Sequence, residues 1–161
     1  MTHPSGRGAR EGRPAPPFAA PDTHGATVSL EALRGVPVLV VFVPFAFTRV
    51  CGSEVAALRA RHGEIAAAGA HLVVITCDSM MTLRAWAAAE DLPFTLVSDF
   101  WPHGDIARSY GAFQDADGAA ERVTVLIDAG GMVRWTTHSP RGVARDVDEY
   151  LTAIHALEAA A

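Results

Sequence analysis

Apolar residues in this chain fall into short runs, separated by segments in which they recur every three or four positions. Residues 38–43 (Val-Leu-Val-Val-Phe-Val) form an unbroken run rich in β-branched side chains, the pattern of a central strand buried on both faces. Residues 72–76 (Leu-Val-Val-Ile-Thr) read the same way, and 122–127 (Arg-Val-Thr-Val-Leu-Ile) give a third strand. At 132–136 apolar and polar positions alternate, which suits a fourth strand nearer an edge. Asp128-Ala129-Gly130-Gly131 between the last two predicts a hairpin turn.

Between the first two strands the spacing predicts a helix over 52–68. Val55, Leu58 and Ile65 fall on one face, with Glu54, Arg59, Arg61 and Glu64 mostly elsewhere. His62, on the apolar stripe, reads as a boundary residue rather than a ligand. A second helix follows Asp78-Ser79, either of which can cap it, and directs Leu83 and Trp86 inward. The last helix carries Val143, Val147, Tyr150, Leu151, Ile154 and Leu157 at helical spacing. A strand-helix-strand half followed by a hairpin-helix half predicts an α/β, thioredoxin-like fold. Right-handed crossovers would flank its central mixed β-sheet with helices on both faces.

With 161 residues, half of them hydrophobic, the chain suits one domain with a single sizeable core. Residues 1–15 are rich in Gly, Pro and Arg and predict a disordered N-terminal tail ahead of a domain over 16–161. They contain no apolar stretch, so a secretory signal is not expected. No apolar run is long enough to cross a bilayer, and a net charge of -5 gives no reason to expect nucleic acid or an acidic membrane as partner. Two cysteines, Cys51 and Cys77, are too few for a disulfide scaffold, so a reducing cytoplasm is the expected setting.

That leaves a thiol free for chemistry. Pro44-Phe45-Ala46-Phe47-Thr48-Arg49-Val50-Cys51 joins the first buried strand to the first helix, at the strand's carboxyl end, where α/β sheets collect ligands. Cys51 is expected to begin the helix, amid unpaired N–H groups and the positive end of the dipole. A free cysteine has a pKa of about 8.5, and such surroundings favour the thiolate, the form that attacks an O–O bond. Thr48 can set a hydroxyl beside the sulfur, Pro44 can wall the pocket, and Arg122, opening a strand beside the central one, can bring an always-charged fork of donors.

Pro44, Thr48 and Cys51 match the P-x-x-x-T-x-x-C motif of peroxiredoxins, and Glu54 matches the glutamate often found three residues on. Arg122 takes the place of that family's active-site arginine. The resemblance runs from about residue 17 to the C-terminus. Ser98-Asp99-Phe100-Trp101-Pro102-His103-Gly104, then Tyr110-Gly111-Ala112-Phe113, is similar to the AhpE-type one-cysteine peroxiredoxins of actinobacteria. The resemblance implies a peroxidase whose Cys51 becomes a sulfenic acid and is restored by an external thiol: mycoredoxin with mycothiol, thioredoxin, or a low-molecular-weight thiol. It implies hydrogen peroxide, organic hydroperoxides and peroxynitrite as substrates, held by Pro44, Thr48, Val50, Cys51 and Arg122. It also implies a homodimer, a part in antioxidant defence, and no metal, haem or flavin.

Each residue also has a plainer role. A lone cysteine is usually an inert small hydrophobe, Thr48 an ordinary cap, and Arg122 a solvated strand end. Glu54 either suits the helix dipole or orients Arg122. Trp101 and His103 read as loop anchors or dimer contacts, and Tyr110 and Phe113 as core. Cys77, ending the second strand, is either a resolving thiol or a small buried side chain. The position one turn past Cys51 that sometimes carries a resolving cysteine is Ala56. A thiol-disulfide oxidoreductase normally needs Cys-x-x-Cys, and Glu54 stands there instead. A redox sensor would oxidise at Cys51 without turnover.

Overall fold

The computed structural model describes residues 8–160. In chain order the elements are β1 (Ala19–Pro21), β2 (Thr27–Ser29), β3 (Val38–Phe42), α1 (Arg49–Ala67), β4 (His71–Thr76), α2 (Met80–Glu90) and β5 (Thr95–Ser98). There follow α3 (Asp105–Ser109), β6 (Phe113–Gln114), β7 (Ala119–Ala120), β8 (Arg122–Ile127), β9 (Val133–Ser139) and α4 (Val147–Ala159). The central sheet has the order β5-β4-β3-β8-β9. Its β3, β4 and β5 run parallel, and β8 lies antiparallel to both β3 and β9. This is the expected α/β architecture with a mixed sheet, and β9 is indeed an edge. The small β1–β2 and β6–β7 pairs were not expected, because strands of two or three residues are too short for periodicity to register.

Period-two alternation sorts the sheet's side chains into two layers. Leu39 and Val41 of β3, Leu72 and Val74 of β4 and Leu126 of β8 pack with α1, α2 and α4 through Leu58, Trp86 and Ile154. Val40 and Phe42, Val73 and Ile75, and Val125 and Ile127 face the other way, onto Phe18, Leu30, Ile106 and Tyr110. Three helices therefore cover one face, and the short α3 with the β1–β2 pair covers the other. Every residue of β3 is buried, which accounts for its unbroken apolar run. No helix among the described residues is long and apolar enough to cross a membrane.

Ser79 caps α2, its hydroxyl accepting from Thr82 N at 3.2 Å. Asp146 caps α4, so the helix begins four residues after Val143, which lies exposed in the preceding loop rather than on the apolar stripe. Residues 8–15 also differ from expectation, since they do not form the tail predicted over 1–15. Gly12 N donates to Val133 O (2.8 Å), Val133 N to Arg13 O (2.9 Å) and Ala15 N to Gly131 O (2.9 Å), and Ala15 is buried. The segment is too polar to order itself by apolar burial. The backbone groups at the turn of the β8–β9 hairpin supply its hydrogen-bond partners instead. The rest of the expected tail, residues 1–7, lies outside the described residues.

Candidate active site

Residues 43–48 carry the chain from β3 over the carboxyl end of the sheet into α1. Asp78, at the end of the neighbouring strand, braces this crossing by accepting from Ala46 N at 2.8 Å. Asp78 is itself fixed, its N–H donating to Thr76 Oγ1 (3.0 Å) and its carbonyl accepting from Ser98 Oγ (2.6 Å). Pro44 is buried, and Phe47 is exposed with a left-handed φ of +62°, its ring beside Trp86. That backbone turn delivers Thr48 in the extended conformation of an N-cap. The Thr48 hydroxyl donates to Phe45 O at 2.9 Å rather than capping an N–H, and its carbonyl accepts from Gly52 N at 2.7 Å. Because that bond already opens the helix, α1 starts at Arg49. Cys51 is its third residue rather than its first. The amide of Cys51 still belongs to the first turn, whose N–H groups lack intrahelical partners. Val50, beside it, is half-buried.

Cys51 is fully buried, and so is Glu54 one turn on. Glu54 therefore lies on the buried stripe of α1 (Cys51, Glu54, Val55, Leu58, Ile65) and not on its solvent side as the charge pattern suggested. Two guanidiniums account for this. Arg122 Nη1 is ion-paired with Glu54 Oε1. Arg145 meets the same carboxylate through its backbone N–H (2.9 Å) and Nε (2.8 Å) on Oε2, and through Nη2 (3.1 Å) on Oε1. Arg145 is further held by Phe42 O (2.7 Å) and Thr124 Oγ1 (3.1 Å), and Thr124 Oγ1 bonds Tyr150 OH at 2.9 Å. One buried carboxylate between two buried cations leaves a unit of positive charge, and the sulfur is next to it. Arg122 Nη2 donates to Cys51 Sγ at 3.4 Å, and Arg122 Nε donates to Arg141 O at 2.7 Å.

Sheet parity explains why Arg122 arrives there. It shares a face with Thr124 and Leu126, the face covered by α1 and α4, and β8 lies directly beside β3. The structure thus brings Cys51, Glu54 and Arg122 into contact, with Pro44 in the adjoining loop, while the Thr48 hydroxyl is turned to its own loop. Arg145 escaped the sequence reading. Nothing local marks an arginine just ahead of a helix cap as the partner of a glutamate 91 positions earlier.

Cys77 belongs to the opposite layer. It borders a recess of about 400 Å³ shared with Pro44, Phe100 and His103. Burial, helped by the Asp99 and Asp78 carboxylates, pushes its thiol up to about 12. Asp99 is buried too, and desolvation raises it to about 6 although Ile106 N and Ala107 N both donate to it at 2.9 Å. His103 ties two loops, with Nδ1 3.1 Å from Phe100 O and Nε2 2.6 Å from Gly118 O, while Trp101 is largely exposed. Tyr110 and Phe113 are buried core residues.

Residues 12–136 match the AhpC/TSA family. The chain is 35% identical over 149 residues to alkyl hydroperoxide reductase E of Mycobacterium tuberculosis, covering 92% of this chain and 97% of that protein. Among solved structures, the reduced 2-Cys peroxiredoxin of Plasmodium vivax superposes with a TM-score of 0.84 at 29% identity, over 92% of this chain and 81% of that one. Peroxidoxin BcpB from Mycobacterium tuberculosis superposes with a TM-score of 0.83 at 26% identity, over 92% and 97%.

Proposed function

The chain belongs to the AhpC/TSA family of peroxiredoxins and is a thiol-dependent peroxidase, and from that premise we propose that Cys51 is the sulfur that attacks the peroxide. The observation that carries this reading is the donation from Arg122 Nη2 to Cys51 Sγ, made while the same guanidinium is pinned by Glu54 and the Arg141 carbonyl. A guanidinium has five N–H donors, and these bonds use three. The remaining two are available to an oxygen brought beside the sulfur.

The thiolate attacks one oxygen of ROOH, a sulfur–oxygen bond forms and the O–O bond breaks. Cys51 becomes Cys–SOH, and the departing RO⁻ takes a proton and leaves as ROH. Charge on that leaving oxygen grows during attack, so donors already fixed by buried partners stabilise the transition state without reorganising. Pro44 walls the sulfur from water. Val50, beside Cys51 in the first turn, and Thr48 at the cap, once its hydroxyl swings from Phe45 O, meet the substrate. Glu54 and Arg145 hold Arg122 in place.

The substrates are hydrogen peroxide, organic hydroperoxides and peroxynitrite. An external thiol then attacks the sulfenic sulfur, releasing water and leaving a mixed disulfide, and a second thiol restores Cys51. Thioredoxin, mycoredoxin with mycothiol, or a small thiol fills that role. The same reading takes the chain to be a cytoplasmic homodimer, with exposed Phe100 and Trp101 as apolar surface for the second copy. Peroxide consumption with a competent reductant tests the assignment. Cys51→Ser abolishes it and Cys77→Ser retains most of it, whereas the reverse pattern would falsify the assignment.

A further inference from the structure

Arg122 is gripped from two sides, and only one of them is rigid by construction. Glu54 projects from a nineteen-residue helix. The other partner, the carbonyl of Arg141, belongs to the irregular segment between β9 and α4. A guanidinium bonded only through Nη1 can roll about that bond. The Nε bond to residue 141 stops the roll and keeps Nη2 aimed at sulfur.

The Arg141 side chain reaches away from its own loop to Asp117, on the turn between β6 and β7. Nη2 donates to Oδ1 at 3.0 Å, and Nη1 pairs with Oδ2. Its guanidinium lies 5.9 Å from the centroid of the Phe45 ring, above the loop that leads to Cys51. Its Nε is buried with no partner among the described residues, so the hold passes through the two terminal nitrogens. The turn that offers Asp117 is itself secured. Ala119 N donates to Asp117 Oδ1 (3.2 Å), Gly118 N to Gln114 O (3.0 Å), and Gly118 O faces His103 Nε2 at 2.6 Å. Arg108 pairs with Asp115 on the same turn at 2.8 Å.

We propose that Asp117 and Arg141 form a positioning clamp for the reaction: the fork-to-carboxylate pair fixes the residue-141 carbonyl, and that carbonyl sets the roll of Arg122 over Cys51. Neither residue touches the peroxide. The inference rests on the reading of Cys51 and Arg122 given above. Bidentate arginine–carboxylate geometry makes the pair directional as well as attractive. The Arg141 side chain is 31% exposed and that of Asp117 40%, so the clamp is open to screening by salt.

The test is stopped-flow oxidation of the reduced protein by hydrogen peroxide, read as a second-order rate across pH. Misplacing a reacting group by a fraction of an ångström costs roughly 3- to 10-fold in rate. Asp117→Asn and Arg141→Ala each slow oxidation by about that factor, and combining them costs no more than the worse single change. The charge-swapped pair, Asp117→Arg with Arg141→Asp, recovers most of the rate. The pH dependence of oxidation in the single variants moves to higher pH, because the cation is held less well beside the sulfur. A merely structural surface pair would leave that profile in place. High salt slows the wild type towards Asp117→Asn and leaves the variant itself unchanged. Wild-type rates and an unmoved pH profile in both single variants overturn the clamp. A wild type that does not react with peroxide, or a Cys51→Ser protein that does, overturns the reading of Cys51 instead, so the two failures are told apart.

Discussion

Cys51 and Cys77 are buried on opposite faces of one sheet. Cys51 packs in the layer under α1, α2 and α4, and Cys77 continues the alternate positions Val73 and Ile75 into the layer that holds α3. A disulfide needs Cα atoms within about 7 Å and Cβ vectors that converge, and two side chains separated by a sheet do not converge.

One equivalent of peroxide should therefore add a single oxygen to the intact mass, and Cys77 should stay reduced. Loss of two hydrogens, the signature of an internal disulfide, would count against this. Alkylation should report the same inertness of Cys77. With its thiol pushed up to about 12, Cys77 should label with iodoacetamide at pH 8 far more slowly than a free cysteine does.

Glu54 is the carboxylate shared by Arg122 and Arg145, with all three side chains buried. Removing one partner of a buried ion group leaves charge without compensation and costs about 3–5 kcal/mol. Glu54→Gln should lower unfolding free energy by about that amount in urea titration and should also slow oxidation of Cys51. A variant that matched the wild type in both respects would mean that the two arginines do not depend on this carboxylate.

Asp99 offers a test in pH. Burial raises its carboxyl from 3.8 to about 6 in the folded protein, so folding favours the protonated form. Its contribution to stability is fully present below about 3.8 and is lost as pH rises through about 6. In Asp99→Asn that slope should vanish from thermal melts between pH 4 and pH 7. At pH 4 the variant should sit lower by about 1–2 kcal/mol, since the acceptors for Ile106 N and Ala107 N are impaired, and the gap should close as pH rises and the wild type loses its own stabilisation. An unchanged slope would trace the pH dependence to another group.

Phe47 holds a left-handed φ without being glycine. That conformation costs about 1–2 kcal/mol, and its ring, 6.3 Å from that of Trp86, returns about 0.5–1.5 kcal/mol. Phe47→Gly loses both and should unfold within about 1 kcal/mol of the wild type. Phe47→Val keeps the strain and loses the ring, and should be the less stable of the two by about 1 kcal/mol or more. A valine variant at least as stable as the glycine variant would rule out strain at this position.

The strands were legible because burial on both faces leaves long apolar runs. β3, β4 and β8 lie within a residue or so of the positions read from Val38, Leu72 and Arg122. The Cys51–Arg122 pairing was legible because a strand start and a helix start meet at one sheet end. Glu54 was half legible. Its spacing from Cys51 was plain, but helical periodicity assigned a charged residue to the solvent side, and only the cations from residues 122 and 145 make its burial tolerable. Arg145, Asp117 and Arg141 were missed, since each acts through a contact with a distant segment. The order of residues 8–15 was missed for the same reason. It comes from the backbone of the β8–β9 hairpin, which composition does not record.

The alternation of side chains along β8 has a consequence for inheritance of the activity. Sliding β8 by one residue against β3 would leave a sheet of the same size, yet Arg122 would turn towards Tyr110 and Val123 would face the thiol. The register of β8 against β3 therefore decides which layer of the protein the Arg122 side chain enters. A slip of that register by one residue would part Arg122 from Cys51 without removing either side chain.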